Sequence, residues 1–152
     1  MDYSKGLLKS YIILVGFFLT LISCQPQEPM DEMPYIMFDP IIINLNFPTY
    51  SSLQFDGGYL EIDGGIRGII IYRESTTTYH AYERNCPYLP NEACATVNVD
   101  SSGLFMIDPC CSSTFNFQNG HPLGGPTFFP LRRYRTYLQS SELTITDEIL
   151  NN

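Results

Sequence analysis

Gly68-Ile-Ile-Ile-Tyr-Arg73 and, after three intervening residues, Thr77-Thr-Tyr-His-Ala-Tyr82 are the stretches on which the fold turns. The first is a β-branched run, the pattern of a strand buried on both faces in the middle of a sheet. The second alternates, as a strand does when one face meets the core. Working toward the N-terminus, Tyr59-Leu-Glu-Ile62 alternates before the turn Asp63-Gly64-Gly65, and Ile41-Ile-Ile-Asn-Leu45 reads as an opening strand. Toward the C-terminus come Leu104-Phe-Met-Ile107 and Thr114-Phe-Asn-Phe117, then Asn119-Gly120 as a hairpin-turn signal. Late strands are predicted over 132–138 and 143–146. No ten-residue window beyond Ile41 places apolar residues at helical spacing, so short strands at short intervals predict an all-β domain, a small antiparallel sandwich or barrel.

The N-terminus has a different character. Lys5 and Lys9 precede the apolar run Tyr11 to Ile22, whose twelve residues are too few for a hydrocarbon core that needs about 20 residues of helix. This is the layout of an export signal. It ends in Leu21-Ile22-Ser23-Cys24, which resembles the lipobox of bacterial lipoproteins. The resemblance implies a signal peptide over 1–23, cleavage before Cys24, and diacylglycerol on Cys24 as the membrane anchor. The protein is then expected in the cell envelope, lipid-anchored in a bacterial membrane, with the outer membrane favoured and the domain in the periplasm or at the cell surface. Cleavage removes both lysines and leaves six arginines against fifteen carboxylates. So acidic a chain has no basic face for nucleic-acid phosphates or for anionic lipid. Gln25 to Pro40 carries four prolines, four acidic residues and three methionines without strand or helical period, so 24–40 reads as a tether and 41–149 as one domain.

Between Tyr79 and Tyr134 the sequence carries more than a strand pattern. A first loop reads Asn85-Cys86-Pro87-Tyr88-Leu89, and a second reads Asp108-Pro109-Cys110-Cys111-Ser112-Ser113-Thr114-Phe115-Asn116. A turn follows at Gly120, then Gly125-Pro126, Pro130-Leu131 and Tyr134. In order and spacing this set resembles the Rieske iron-sulfur domain, in which Cys-x-His and Cys-x-x-His loops at two hairpin tips hold a [2Fe-2S] cluster. The resemblance implies a Rieske-like sandwich or barrel with two loop-bearing hairpins, and a proline loop over 122–130 that covers the cluster position. It also assigns the ligand positions to Cys86, Tyr88, Asp108 and Cys111. Only Cys86 keeps the family's ligand; Tyr88 replaces the first histidine, Asp108 the second cysteine and Cys111 the second histidine. Phenol and carboxylate suit a sulfide-bridged iron pair poorly, so no [2Fe-2S] cofactor is expected. His80, on a strand, and His121, after the Asn119-Gly120 turn, lack partners at metal-ligand spacing.

Besides Cys24 the mature chain has Cys86, Cys94, Cys110 and Cys111, an even number in a compartment that permits disulfides. Four cysteines allow three connectivities, and the residues alone do not choose among them. The resemblance implies a pair from Cys94 to Cys110, as in Rieske domains of the respiratory type, which leaves Cys86 and Cys111 to bridge at the former ligand positions. A metal held by all four cysteines ranks lower, because adjacent Cys110 and Cys111 point to opposite faces of a regular strand and no CxxC knuckle occurs. Gly-x-Ser-x-Gly, His-Glu-x-x-His and a phosphate-binding glycine loop are all absent, so no catalytic residue is assigned and no enzyme is expected. Two functions follow from the resemblance: a cluster-free binding or structural module of the envelope, which is preferred, or an envelope electron carrier with an unusual [2Fe-2S] centre. The sequence names no protein partner. If Cys24 carries the anchor, Cys24→Ala moves the protein from the membrane fraction to the soluble fraction; retention of that variant on membranes refutes the lipobox reading.

Overall fold

The computed structural model describes residues 32–150, so the expected signal peptide, Cys24 and the first part of the tether lie outside the described residues. The described chain is all-β. Its strands are β1 (Ile41–Asn44), β2 (Tyr59–Ile62), β3 (Ile69–Arg73), β4 (Tyr79–Glu83), β5 (Asn98–Val99), β6 (Met106–Ile107), β7 (Thr114–Phe115), β8 (Pro122–Gly124), β9 (Arg133–Gln139) and β10 (Glu142–Leu150). They form two antiparallel sheets, in the order β1-β10-β9-β4-β3-β2 and β5-β6-β7-β8.

The isoleucine run explains how one sheet supports two cores. Successive strand residues point to opposite faces. Ile69 and Ile71 therefore join Ile43, Leu53, Ala81, Tyr134, Leu143 and Ile145 on one side. Ile70 on the other side packs with Tyr82 of β4 and with Val97, Met106, Phe115 and Leu131, which belong to the loops and to the small sheet. All three isoleucines are fully buried, each worth about 1.5–3 kcal/mol in apolar burial. β4 repeats the device, with Tyr79 and Ala81 in the first core and Tyr82 in the second.

The expected strands over 104–107 and 114–117 are shorter than the apolar pattern suggests. Asp100 Oδ1 accepts from the N–H and the hydroxyl of Ser102, and Asp100 N–H closes onto the Phe105 carbonyl, so a turn occupies residues 100–105. Likewise Asn116 Oδ1 accepts from Asn119 N–H at 2.9 Å, which ends β7 early and starts the turn at Gly120. β10 runs longer than 143–146 because a bulge between Ile145 and Ile149 lets the chain pair with β9 a second time. Pro48–Gln54 is a short 3-10 helix that no periodicity announced.

Part of the composition-defined tether is held against the domain. The Arg132 guanidinium donates to the carbonyls of Pro34 and Met33. Tyr35 hydroxyl donates to Asp147 at 2.8 Å, and the Phe38 ring meets Tyr134 edge-on at 5.0 Å. Residues 33–38 of the tether expected over 24–40 thus dock on the domain, because backbone carbonyls and aromatic rings find partners that composition does not disclose.

One buried carboxylate fastens the large sheet to the loops. Glu83, at the end of β4, is fully buried. It accepts from the N–H groups of Ile66 at 2.8 Å, Arg67 at 3.0 Å and Asn85 at 2.9 Å, and from the Tyr134 hydroxyl at 2.7 Å. Gly65, at φ +57°, brings the turn this close: a Cβ there would lie 2.2 Å from Glu83 Oε2. Burial and then the Glu83 carboxylate raise the Tyr134 phenol, which keeps it a donor. Removing the carboxylate strands three backbone donors, so Glu83→Ala should lower unfolding stability by about 3–5 kcal/mol and Tyr134→Phe by about 1.5–3 kcal/mol, read from urea midpoints. Equal, small effects of the two variants contradict this account.

Candidate functional site

The first loop leaves β4 directly behind Glu83. Asn85 bridges antiparallel to Thr96, Cys86 N–H donates to the Ala95 carbonyl at 3.1 Å, and Val97 N–H donates to Arg84 at 2.7 Å, so the loop returns as a narrow hairpin. Arg67 clamps it from the side. Its backbone N–H is held by Glu83, while its guanidinium donates to Asn85 Oδ1 and to the carbonyls of Ala93 and Glu92. This places Cys86 in the second core, fully buried.

The second loop joins β6 to β7, and Asp108 organises it. Asp108 N–H donates to Ser113 at 2.9 Å and its carbonyl accepts from Ser112 N–H at 2.8 Å. Its Oδ1 accepts from Cys110 N–H at 2.8 Å, the local turn that aspartate side chains favour. Gly125 lies over this loop. A Cβ there would come within 2.4 Å of Ser113 Cα, at a φ of +95°, so only glycine lets the 122–130 segment sit this close. Phe128 and Phe129 of that segment are exposed, not packed over the loops.

Cys94 and Cys110 form a disulfide across Cα atoms 5.5 Å apart and tie the two loops together, as the family resemblance implies. Closing a loop of this length is worth about 3 kcal/mol on the chain-entropy view. The expected second bridge, Cys86 to Cys111, is not formed: both are thiols, with sulfurs 3.8 Å apart where a disulfide requires about 2.05 Å. The thiols instead have polar partners that a bridge would forfeit: Cys111 Sγ lies 3.2 Å from Asp108 Oδ2 and 3.0 Å from Ser113 Oγ, and Cys86 is hydrogen-bonded to Asp108 as well.

The two loops therefore bring three of the four expected ligand positions into one cluster, with the ligand atoms of Cys86, Asp108 and Cys111 all within 4.8 Å of one another. The fourth, Tyr88, packs partly buried against the same core and directs its backbone N–H at Cys86. No histidine joins the cluster. His80 lies in β4, with Nε2 3.0 Å from Glu74 and its ring between Tyr72 and Tyr82, and His121 is exposed on its turn.

Electrostatically the cluster does not suit a thiol nucleophile. Burial first, then the hydrogen bond to Asp108, push the Cys86 thiol up, opposed by the Tyr88 N–H. Activation needs a shift the other way. Asp108 is fully buried, and among the described residues no ion pair reaches it. Sequence reasoning placed Asp108 only as a lost ligand; its part as loop organiser was readable in Asp-x-Cys, since an aspartate side chain commonly accepts from the N–H two residues on. Arg67 and Glu83 were missed altogether, and only the glycines at 64, 65 and 68 hinted that a turn approached something closely.

No family model and no curated protein matches the chain. Among solved structures it is similar to a chain of the complex of reduced oxygenase and oxidized ferredoxin in carbazole 1,9a-dioxygenase, at 14% identity and TM-score 0.49, over 80% of this chain and 100% of that one. It is also similar to the ferredoxin of carbazole 1,9a-dioxygenase from Nocardioides aromaticivorans IC177, at 16% identity and TM-score 0.43, over 60% of this chain and 86% of that one.

The arrangement of sulfurs gives a definite thiol count. Protein unfolded in denaturant with an alkylating agent and no reductant should be labelled at Cys86 and Cys111 and left unlabelled at Cys94 and Cys110, as mass mapping of peptides reads directly. Protection of all four would restore the two-bridge arrangement.

Proposed function

We propose that this chain is a Rieske-like module of the bacterial cell envelope, anchored by lipid on Cys24, whose two ligand loops no longer hold an iron-sulfur cluster and which serves as a binding or structural domain, not an enzyme. The observation that carries the reading is the closure of the ligand site around Cys86, Asp108 and Cys111. In the family arrangement Cys86 would belong to one iron and Cys111 to the other, with two irons and two sulfides between them. Here their sulfurs are 3.8 Å apart, which leaves no room for that rhomb. The donor set disagrees as well, since Asp108 and Tyr88 would offer each iron one oxygen where the centre takes two thiolates on one side and two imidazoles on the other. The residues do not fit the group.

Several features support the Rieske-like part of the proposal independently of any electron transfer. The two loops stand side by side at the end of the small sheet, joined by the Cys94–Cys110 disulfide. The Gly125-Pro126 segment lies across the second loop. A domain that keeps this frame after losing its cluster has the interloop disulfide, the Arg67 clamp and the Glu83 network to hold the loops instead. The Cys94–Cys110 disulfide and the signal layout support placement outside the cytoplasm.

Restoring the ligands tests the reading. Tyr88→His, Asp108→Cys and Cys111→His together recreate two thiolates and two imidazoles at the family's spacing. After reconstitution with iron and sulfide, the triple variant should absorb in the visible and give a Rieske-type paramagnetic resonance signal on reduction, while the natural protein stays colourless and silent. A cluster signal from the natural sequence overturns the proposal.

A further inference from the structure

We propose that Cys86, Cys111 and Asp108 form a mononuclear zinc site, with two thiolates, one carboxylate and a fourth position left to water. This deepens the cluster-free reading and rests on it, because the same loop tips cannot hold both groups.

Geometry supplies the first argument. Tetrahedral zinc bonds thiolate sulfur at about 2.3 Å, which puts two such sulfurs about 3.8 Å apart, and bonds carboxylate oxygen at about 2.0–2.2 Å, which puts sulfur and oxygen about 3.5 Å apart. Cys86 Sγ and Cys111 Sγ are 3.8 Å apart, and Cys111 Sγ is 3.2 Å from Asp108 Oδ2. Two of the three separations thus already approach the edges of a zinc tetrahedron, the remaining pair lies within 4.8 Å, and the sulfurs are too far apart for a disulfide.

Charge supplies the second. Asp108 is a fully buried carboxylate to which no cationic side chain among the described residues is paired. Its Oδ2 accepts from the Cys111 thiol, whose hydrogen a metal ion displaces on binding. On binding, the two thiols release their protons to solvent and become ligands, so one Zn²⁺ replaces two protons and the net charge of the cluster is unchanged.

Outer hydrogen bonds supply the third, since metal ligands are commonly oriented by a further donor or acceptor. Each of the three has one: Tyr88 N–H for Cys86, Ser113 hydroxyl at 3.0 Å for Cys111, and Cys110 N–H at 2.8 Å for Asp108. The Cys94–Cys110 disulfide and the Arg67 clamp fix both loops from outside. Cys111 is partly exposed and gives the ion an entry path. Thiolates exclude magnesium and calcium, and a carboxylate beside two thiolates in a tetrahedral arrangement favours zinc over softer monovalent copper.

The experiment uses the full chain purified in detergent without reductant from cells grown with both iron and zinc. About one zinc per chain, no iron or sulfide and no visible colour are expected. After removal of the metal under reductant, Co²⁺ should restore visible d–d bands of a tetrahedral thiolate site, which Zn²⁺ then displaces. Cys111→Ser and the isosteric Asp108→Asn should each weaken zinc binding by more than about 100-fold, beyond what loss of an outer hydrogen bond produces. Colourless protein that takes up neither Zn²⁺ nor Co²⁺, binding unaffected by both variants, or a Cys86–Cys111 disulfide in the protein as isolated each overturns the zinc site and leaves the cluster-free reading in place. Iron, sulfide and colour in the natural protein overturn that reading, and the zinc site with it.

Discussion

The four hydrogen bonds converging on the buried Glu83 carboxylate are the constraint from which the rest of this structure follows. A carboxylate out of water is tolerable only when donors replace its hydration, and here three backbone N–H groups and a phenol do so. The four donors come from three separate parts of the chain. The Gly64–Gly68 turn delivers Ile66 and Arg67, β9 delivers Tyr134, and Asn85 opens the first loop. The network therefore locks the centre of the large sheet, one of its turns and the root of the functional loop in a single step.

From there the positional information passes outward through Arg67. Its backbone is fixed by Glu83, and its guanidinium holds Asn85, Glu92 and Ala93, so the hairpin that presents Cys86 is set by the sheet's own buried charge. The second loop has no such link to the sheet interior. It is organised locally by Asp108, joined to the first loop by the Cys94–Cys110 disulfide, and covered by the backbone at Gly125. Two loops fixed by different means meet at Cys86, Asp108 and Cys111, and the chemistry of the domain is concentrated there.

Asp108 carries two roles that sequence reasoning treated as one substitution. At the position that the resemblance gives to a thiolate, a carboxylate is expected to be a poor ligand for an iron-sulfur rhomb. As a short side chain with two acceptor oxygens, it turns the backbone with one oxygen and meets Cys111 with the other. That second contact gives the Cys111 thiol a partner other than the Cys86 sulfur. Spacing along the chain cannot reveal it, because the Cys86–Cys111 distance depends on how two loops distant in sequence meet at one end of the small sheet.

The sequence by itself determined the all-β class and the doubly buried strand at 69–71, although that strand lies second from the edge of the large sheet, with β9 and β4 at its centre. The isoleucine run over 69–71 can be satisfied only with apolar partners on both faces, and period-2 alternation marks its neighbours. It also determined which residues stand at the loop tips, and which cysteines the resemblance pairs between the loops. Tertiary structure alone decided the strand limits at Asp100 and Asn116, where side-chain acceptors capture backbone donors that the apolar pattern had assigned to a ladder. It likewise decided that residues 33–38 dock on the domain and that Glu83 is the anchor. Above all it decided that Cys86 and Cys111 remain thiols around a buried carboxylate. Local pattern reports which face a residue prefers, whereas the distance between two sulfurs and the partner of a buried charge are set only when distant segments close on one another.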